Sequence, residues 1–560
     1  MSIPPKEWTI MVYMAGDNNL SEDMITALKA MRIAAAAAPK GKIDVFACFD
    51  SVYPGVDTSY YDFTVRPTVQ PQLIRSYIAG KDKDDESQLE INRGNSILNF
   101  VEWAIDRSGD TASENYMLVL SGHGDAFRGK TLLYDENPPG GLSLESLGAV
   151  LRSARRCLPD EKRFAILGFD NCAMNLAEIG YEFRHIADLL IASEGFIPQS
   201  GWEYGEPIRS MAMAKPALTP AQLAREFVCS FINYQQEYST AGRSVDLSVC
   251  DLSSLRIGYP PQRPVVDAKC EWELIKEQLD PSKVDAKPGN LIAAIDQLGY
   301  YLSWPYSKKN LECEVTKAIA FYFQKIVIYA HWSSQTYFYE QTVDIFDFCD
   351  VLAEQCDDYI HYFSTFLSET AENTENIDRS IILDHPFFLF LKCVKKACCA
   401  VLDARAIYVL GMGVSGPQFQ FSMGTSVFFP WTRLSFMTSE ETYLNTAMYK
   451  EGYENWFMFI DRFSKYSARK QKVRTACKPV ELSVASLREE SVTLSDGHKT
   501  GGPFRTGGPF RTGGPFRGEL DVLRQYFSMY KNYKHDFHDT VFWPADLCGL
   551  SKEKLEEPEV

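Results

Sequence analysis

The sequence predicts an α/β fold: a mostly parallel sheet sandwiched by helices, then a largely helical second region and a flexible C-terminal extension. Three observations predict it. Short continuous apolar runs alternate with helix-like stretches through the first third, at Trp8–Met14, Ile43–Phe49, Tyr116–Leu120, Phe164–Leu167 and Leu189–Ala192. Uninterrupted apolar runs of this length belong to strands buried on both faces, and the intervening helices supply the crossovers of a parallel sheet. The aromatic-rich stretch from 270 to 410 then reads as largely helical, and Gly and Pro dominate a short repeat after residue 499.

The elements follow in order. WTIMVYM ends at Ala15-Gly16-Asp17-Asn18 as a first strand, and Ser21–Ala38 is an alanine-rich helix. IDVFACF is a second strand, and Tyr60–Val65 a hairpin strand beside it. Lys81–Asn92 is polar and charged and reads as a loop. Asn95–Asp106 carries Ile97, Leu98, Val101 and Ile105 on one face, the period of an amphipathic helix. Helices are expected at Leu144–Ala154, Asn175–Arg184 and Thr219–Tyr238, and a strand at Ser244–Cys250. Pro260, Pro261 and Pro264 mark a break. Further on, Thr425–Phe429 is a strand and Glu441–Phe463 contains a helix. These features divide the chain at 1–255 (a sheet-bearing core), 256–464 (a mostly helical region that returns the strand 425–429 to the core), 465–517 (a linker) and 518–560 (a tail).

Composition narrows the function. The 560 residues hold 57 Lys and Arg against 74 Asp and Glu, a formal charge of −17. That balance argues against nucleic acid as partner, since phosphate binding needs a basic face. No apolar stretch reaches the ~18 residues of a membrane helix, and MSIPPK lacks the basic and apolar regions of a secretory signal. A cytoplasmic setting is therefore expected. Fourteen cysteines in so long a chain are not a disulfide framework. Cys48, Cys229, Cys393, Cys398 and Cys399 lie in apolar runs and read as reduced, packed thiols.

In parallel sheets, ligands bind beyond the carboxyl ends of the strands. Two such ends carry chemistry. The third run ends in Ser121-Gly122-His123-Gly124, and the fourth in Gly168-Phe169-Asp170-Asn171-Cys172. One crossover would bring His123 and Cys172 to the same rim. A thiol and an imidazole together suffice for nucleophilic acyl transfer. A nearby imidazolium or a helix N-terminus would lower the thiol's pKa, and a helix is expected from about Asn175. The N–H groups of Gly122, Gly124 and Cys172 are candidate oxyanion donors. Taken singly, a cysteine after a strand is more often a packed core thiol, and a lone histidine more often structural. It is their matched placement that points to catalysis.

YMLVLSGHG and FAILGFDNCAM resemble the paired strand ends of the clostripain family of cysteine peptidases, in the clan that includes caspases, gingipains and legumains. WTIMVYMAGDNNL, LLIASEGFIPQSGWEY, SVDLSVCDLSSL and GTSVFFP resemble further landmarks of the family. The resemblance spans about Trp8 to Phe463 and is weaker between 255 and 420. It implies a caspase-like fold in which Cys172 is the nucleophile, His123 the general acid/base, and Gly124 and Cys172 the backbone oxyanion donors. It also implies cleavage of proteins or peptides after Arg, less often Lys, with Asp170 in the specificity pocket and Glu194 and Trp202 as pocket walls. Asp170 is equally readable as a turn carboxylate, and Glu194 as a member of a structural ion pair. A carboxylate pocket disfavours acidic substrates by like-charge repulsion. The chemistry requires no metal or cofactor. Some members of the family respond to calcium, for which Asp50, Asp57, Asp135 and Glu136 offer oxygen atoms but no EF-hand spacing. Thr131–Leu151 contains no Lys or Arg, so self-processing in that segment is not expected. A reading from a different class is a catalytically inactive caspase-like scaffold. The oligomeric state is not legible.

The other signals read as structural. TGGPFR recurs at Thr500, Thr506 and Thr512 and is first of all a flexible linker. Its Arg505, Arg511 and Arg517 are also formal sites for an Arg-specific enzyme. Cys393, Cys398 and Cys399 lack zinc spacing. HDFHD near the end of the chain reads as solvated tail, and GMGVSG at 411–416 lacks the strand–turn–helix context of a dinucleotide site.

Overall fold

A computed structural model describes residues 5–53, 58–64, 86–109, 112–125, 127, 129–236, 241–258, 275, 277–337, 341–372 and 386–474. The TGGPFR repeats, HDFHD and the tail from 518 lie outside these residues, as do Asp57 and residues 475–517.

The strands and helices of the first half are β1 (Lys6–Gly16), α1 (Ser21–Ala36), β2 (Ile43–Ser51), β3 (Ser59–Asp62), α2 (Glu86–Ser108), β4 (Ser113–Ser121), β5 (Leu132–Glu136), β6 (Pro139–Leu142), α3 (Leu144–Arg156), β7 (Phe164–Asp170), α4 (Ala177–Phe183), β8 (Ala187–Ala192), α5 (Gly205–Met213), α6 (Pro220–Tyr234) and β9 (Val245–Asp251). Three short strands follow, β10 (Thr336–Tyr337), β11 (Thr342–Asp344) and β13 (Ser426–Phe428), together with a longer one, β12 (Val409–Ser415).

Eight strands form one sheet in the order β12-β9-β8-β7-β4-β1-β2-β3. Its centre is parallel, as the apolar runs predict, and β3, β9 and β12 each pair antiparallel with the neighbouring strand. Successive side chains leave a strand on opposite faces, and both faces are covered. Trp8, Ile10, Val12 and Met14 of β1 pack with α1, α5 and α6. Met11, Tyr13 and Ala15 pack on the other side with α2 and α3. Helix starts follow local chemistry. Ser143 caps α3 through the Ser146 N–H, and Thr219 with Gln222 forms a capping box before Pro220.

The second region adds four long helices, Leu291–Ser303, Glu314–Ser333, Ile345–Glu372 and Pro386–Tyr408, and Asn455–Arg474 completes it. Its buried side chains join one continuous apolar cluster with the α2–α3 face of the sheet. Leu291–Ser303 lies at its centre. Asn290 caps the helix, and Asp296 accepts from both the backbone and the side-chain nitrogen of Asn455, at 2.9 and 2.8 Å. Trp456 donates its indole N–H to the Phe428 carbonyl at 2.9 Å.

Several expectations change. The stretch 425–429 does not enter the large sheet. Ser426–Phe428 pairs with β11 in a small three-stranded sheet, and the strand that returns to the large sheet is β12, which contains the glycines at 411–413. Gly413 lets α6 approach closely, since a Cβ there would lie 2.6 Å from Ile232 Cγ1 and 2.9 Å from Val228 Cγ1. The expected loop at 81–92 is helical from Glu86. The helix Asn455–Arg474 runs through the first ten residues assigned to the linker. Cys229 and Cys399 are exposed rather than packed. Ten described cysteines are free, but Cys313 is disulfide-bonded, so not every thiol is reduced. No helix of the described residues is long and apolar enough to cross a membrane.

Gly299 faces the start of the last helix, and a Cβ there would lie 2.6 Å from the Asn455 carbonyl carbon. Backbone cannot yield as a side-chain tip can. Gly299→Ala should therefore destabilise the protein by about 1–3 kcal/mol, read as a lowered midpoint in thermal or urea unfolding. An unchanged midpoint would contradict this packing.

Candidate active site

The site begins with a register. β4 and β7 are neighbours and parallel, and Ser121 stands opposite Asp170. The chain therefore leaves both strands at the same level, with Gly122-His123-Gly124 beside Asn171-Cys172. Asn171, only 2% exposed, ties these loops together. Its side-chain amide donates to the carbonyls of Gly122 at 2.7 Å and His123 at 3.3 Å. The contact is close enough that a Cβ on Gly124 would sit 2.8 Å from that of Asn171. The His123 carbonyl also accepts from Leu133 N at 2.8 Å, which anchors the loop to β5.

The imidazole of His123 is half-buried, and its Nε2 lies 2.7 Å from Asn19 Oδ1. Burial lowers its pKa, and Glu136 opposes this weakly. The Cys172 thiol is also half-buried. Its Sγ accepts from Ile197 N at 3.3 Å and approaches the Ile197 carbonyl at 3.7 Å. Burial pushes the thiol up to about 11, against the hydrogen bond from Ile197 and with further upward pressure from Asp170, Asp125 and Asp246. This departs from the expectation of a lowered thiol. The helix expected near Asn175 starts at Ala177, so its N-terminus is not at the sulfur. Ala173 instead adopts a left-handed φ of 49°, and the turn is tied down by Ala173 N to Gly195 O at 2.9 Å and Asn175 N to Ser193 O at 3.0 Å.

His123, Gly124, Asp170 and Cys172 line one cleft of about 550 Å³. Phe196, Ile197 and Pro198 form an apolar part of its wall. The described residues of the lining include four carboxylates, Asp23, Asp125, Glu136 and Asp170, and no Lys or Arg. Asp170 is 5% exposed. Its Oδ2 accepts from Ser121 Oγ at 3.0 Å and Tyr204 OH at 2.8 Å, and its Oδ1 from Trp202 N at 3.1 Å. Burial raises its pKa to about 6, less than it would without these three donors. Gly201, at φ 64°, crosses the carboxylate with backbone alone, since a Cβ would lie 2.8 Å from Asp170 Oδ2.

Glu194 and Trp202 are not cleft walls. Glu194 is fully buried, accepting from Gly424 N at 3.2 Å and Ser426 Oγ at 2.7 Å, and burial with Asp344 and Asp246 nearby pushes its pKa well up. It fastens the loop after β8 to β13, and no ion pair to it is present among the described residues. The Trp202 ring packs behind the sheet against Gly168 and Phe227, and only its backbone N–H bears on the site. Among the calcium-ligand candidates, Asp50 accepts from Thr58 and Asp135 pairs with Arg93. Among the described residues, no three His, Cys, Asp or Glu side chains are grouped to hold a metal.

Sequence reasoning missed Asn19, Asn171 and Tyr204. The signal for Asn19 was present. It follows a parallel strand at the same rim, and β1 lies next to β4.

A model of the clostripain family matches residues 12–374, more than half of the chain. An inactive zymogen C11 protease from Parabacteroides distasonis is similar at 14% identity, over 80% of this chain and 99% of its own, with a TM-score of 0.47. A secreted C11 cysteine protease from Bacteroides thetaiotaomicron, solved with an irreversible peptide inhibitor, is similar at 14% identity over the same shares, with a TM-score of 0.46. No curated protein matches the sequence. With the family model spanning the strand ends that carry His123 and Cys172, the chain belongs to the clostripain family and is a cysteine peptidase.

Proposed function

We propose that the protein is an endopeptidase that cuts after basic residues, Arg in preference to Lys, with Cys172 as nucleophile and His123 as general acid/base. The observation that carries this reading is the cleft, which brings together a thiol, an imidazole and a buried carboxylate under a lining free of described cationic side chains.

The protonation states define the mechanism. With its pKa at about 11, the thiol is ionised in only about one molecule in 10⁴ at pH 7. The imidazole, lowered from its ordinary value, is neutral there. The resting pair is thus thiol and imidazole, not thiolate and imidazolium. His123 takes the S–H proton as the sulfur attacks the peptide carbonyl. The carbonyl oxygen gains the negative charge, facing the N–H groups of Gly124 and Cys172. The C–N bond breaks and the imidazolium gives its proton to the departing amine; water, deprotonated by the same imidazole, then attacks the thioester, the C–S bond breaks, and the imidazolium returns its proton to the leaving sulfur. Asp170 receives the guanidinium of the residue before the cut. Arg is preferred because its planar fork can meet a carboxylate at two points.

Calcium has no described ligand set and no step in this mechanism. Free thiols at ten described positions, the proposed nucleophile included, favour a reducing, cytoplasmic setting despite the bond at Cys313.

A fluorogenic Arg-amide peptide tests the assignment. Cys172→Ala and His123→Ala should each reduce turnover to background. Asp170→Asn should lower kcat/KM for the Arg substrate by about 10- to 100-fold, the worth of a charged hydrogen bond, with a much smaller effect on a neutral substrate. Equal losses on both substrates would remove Asp170 from the specificity role. No wild-type turnover under reducing conditions, with and without calcium, would return the inactive-scaffold reading.

The pH dependence has a definite sign. A carboxylate titrating at about 6 is anionic above that value and neutral below it. Selectivity for Arg over a neutral isostere should therefore be full at pH 7 to 8 and fall as the pH drops through 6. His123 protonates on the same side but slows both substrates, so the ratio isolates Asp170. A ratio constant from pH 5 to 8 would contradict the assignment.

A further inference from the structure

We infer that Asn19 is the positioning residue of the His123 imidazole, selecting the ring nitrogen that acts as base. The inference deepens the proposed mechanism and rests on it. Asn19 follows β1, and β1 lies next to β4, whose end carries His123. The two residues are 104 apart in sequence, and the contact is 2.7 Å from Asn19 Oδ1 to His123 Nε2. It is the side-chain hydrogen bond the ring makes among the described residues.

The loop that presents Asn19 is held from below by its neighbours. Asn18, 1% exposed, donates to the carbonyls of Ala15 at 2.9 Å and Tyr134 at 2.8 Å, and its Oδ1 accepts from Leu20 N at 2.9 Å. Asp17, 7% exposed, accepts from the backbone and side-chain nitrogens of Asn137, each at 3.1 Å. The Asp17 carbonyl also accepts from Glu136 N at 2.8 Å. Two consecutive buried side chains thus fix the loop onto the β5–β6 hairpin, and the third, Asn19, is exposed and aimed at the ring. An anchored loop ending in one outward side chain positions a group without spending that side chain on its own fold.

The chemistry follows from proton count. A neutral imidazole has one N–H and one lone pair. If Asn19 presents its oxygen, Nε2 must carry the hydrogen, which leaves the Nδ1 lone pair to receive the Cys172 proton. In the acyl-transfer step the S–H bond breaks and an Nδ1–H bond forms, and the resulting imidazolium keeps its Nε2–H on Asn19. The Nδ1 proton then passes to the leaving amine, and the starting tautomer is restored. Without Asn19 the ring is free to hold its hydrogen on Nδ1 or to rotate, and both states are unproductive. The acidic groups around the ring are Glu136 of β5, which acts on it directly, with Asp23, Asp125 and Asp170 in the same cleft and the Cys172 thiol as reaction partner.

Two readouts test this on the full chain. In kinetics with the Arg-amide substrate, Asn19→Ala should lower kcat about 10- to 100-fold with KM within twofold. Asn19→Asp retains an acceptor and adds a charge, so it should recover most of kcat and move the acid limb of the profile to higher pH by about one unit. An Asn19→Ala enzyme within twofold of wild type in kcat, or Ala and Asp variants with equal losses and identical acid limbs, would overturn the inference. The second readout needs no turnover. ¹⁵N-histidine spectra of the Cys172→Ala chain, with His123 assigned by loss of its signals in His123→Gln, should show Nε2 protonated and Nδ1 unprotonated at neutral pH. Asn19→Ala should mix the tautomers. A protonated Nδ1 in the parent would overturn the inference even if peptidase activity is confirmed. An inactive wild type with the expected tautomer would instead refute the proposed function and leave the positioning contact standing.

Discussion

The parallel pairing of β4 with β7 is the constraint on which the site depends. A parallel ladder sends both chains out of the sheet on the same side, and here Ser121 opposite Asp170 sets their exits level. A shift of one residue would turn every side chain of one strand to the opposite face. That register is specified from both faces, because β4 and β7 are buried on each, with residues of both strands in each of the two apolar clusters. The core therefore fixes more than stability. It fixes the height at which a histidine and a cysteine 49 residues apart emerge, and Asn171 closes the remaining gap between their backbones.

Burial gives the site its electrostatic character. Cys172 and His123 are both held away from water, which favours the neutral form of each. The same desolvation raises Asp170, and three donors hold that rise to about 6. The carboxylates behind the cleft follow a different course. Glu194, Asp246 and Asp344 sit together in the interior with no cation among their described hydrogen-bond partners, and all three are raised by burial. Their oxygens are occupied by backbone N–H and hydroxyl groups of the segments they join. These carboxyls function as cross-links between loops, and none of them lines the cleft, although Asp246 still adds to the rise of the Cys172 thiol.

What was legible in the sequence depended on periodicity and punctuation. The parallel strands announced themselves because strands buried on both faces are apolar at every position, and their ends were marked by small and polar residues. His123, Cys172 and Asp170 were visible because they directly follow such ends. The β5–β6 hairpin and α5 were missed because they are short and their partners are remote. Glu194 was misplaced for a related reason. A glutamate one residue after a serine at a strand end looks like a rim residue, but its oxygens are claimed by Gly424 and Ser426, more than two hundred positions along the chain. Burial of a charged residue against distant backbone leaves no local pattern.

The strand order extends the logic of the rim by one step. β1, β4 and β7 are consecutive in the sheet although α1, β2, β3 and α2 separate the first two in the chain and the β5–β6 hairpin and α3 the last two. Each carries one residue of the proposed chemistry, Asn19, His123 and Cys172, in the first turn after its carboxyl end. The anchoring differs in kind. The cysteine turn is pinned by backbone bonds to the 193–195 segment, the histidine turn by the Asn171 amide and by β5, and the asparagine turn by its own two preceding side chains. Three independently fastened turns on one rigid sheet place reacting groups more exactly than one long loop would, because the conformational entropy of each turn is paid in its own hydrogen bonds. The order in which the proposed proton moves, from sulfur to imidazole under the hold of an amide, then reproduces the order of the strands across the sheet.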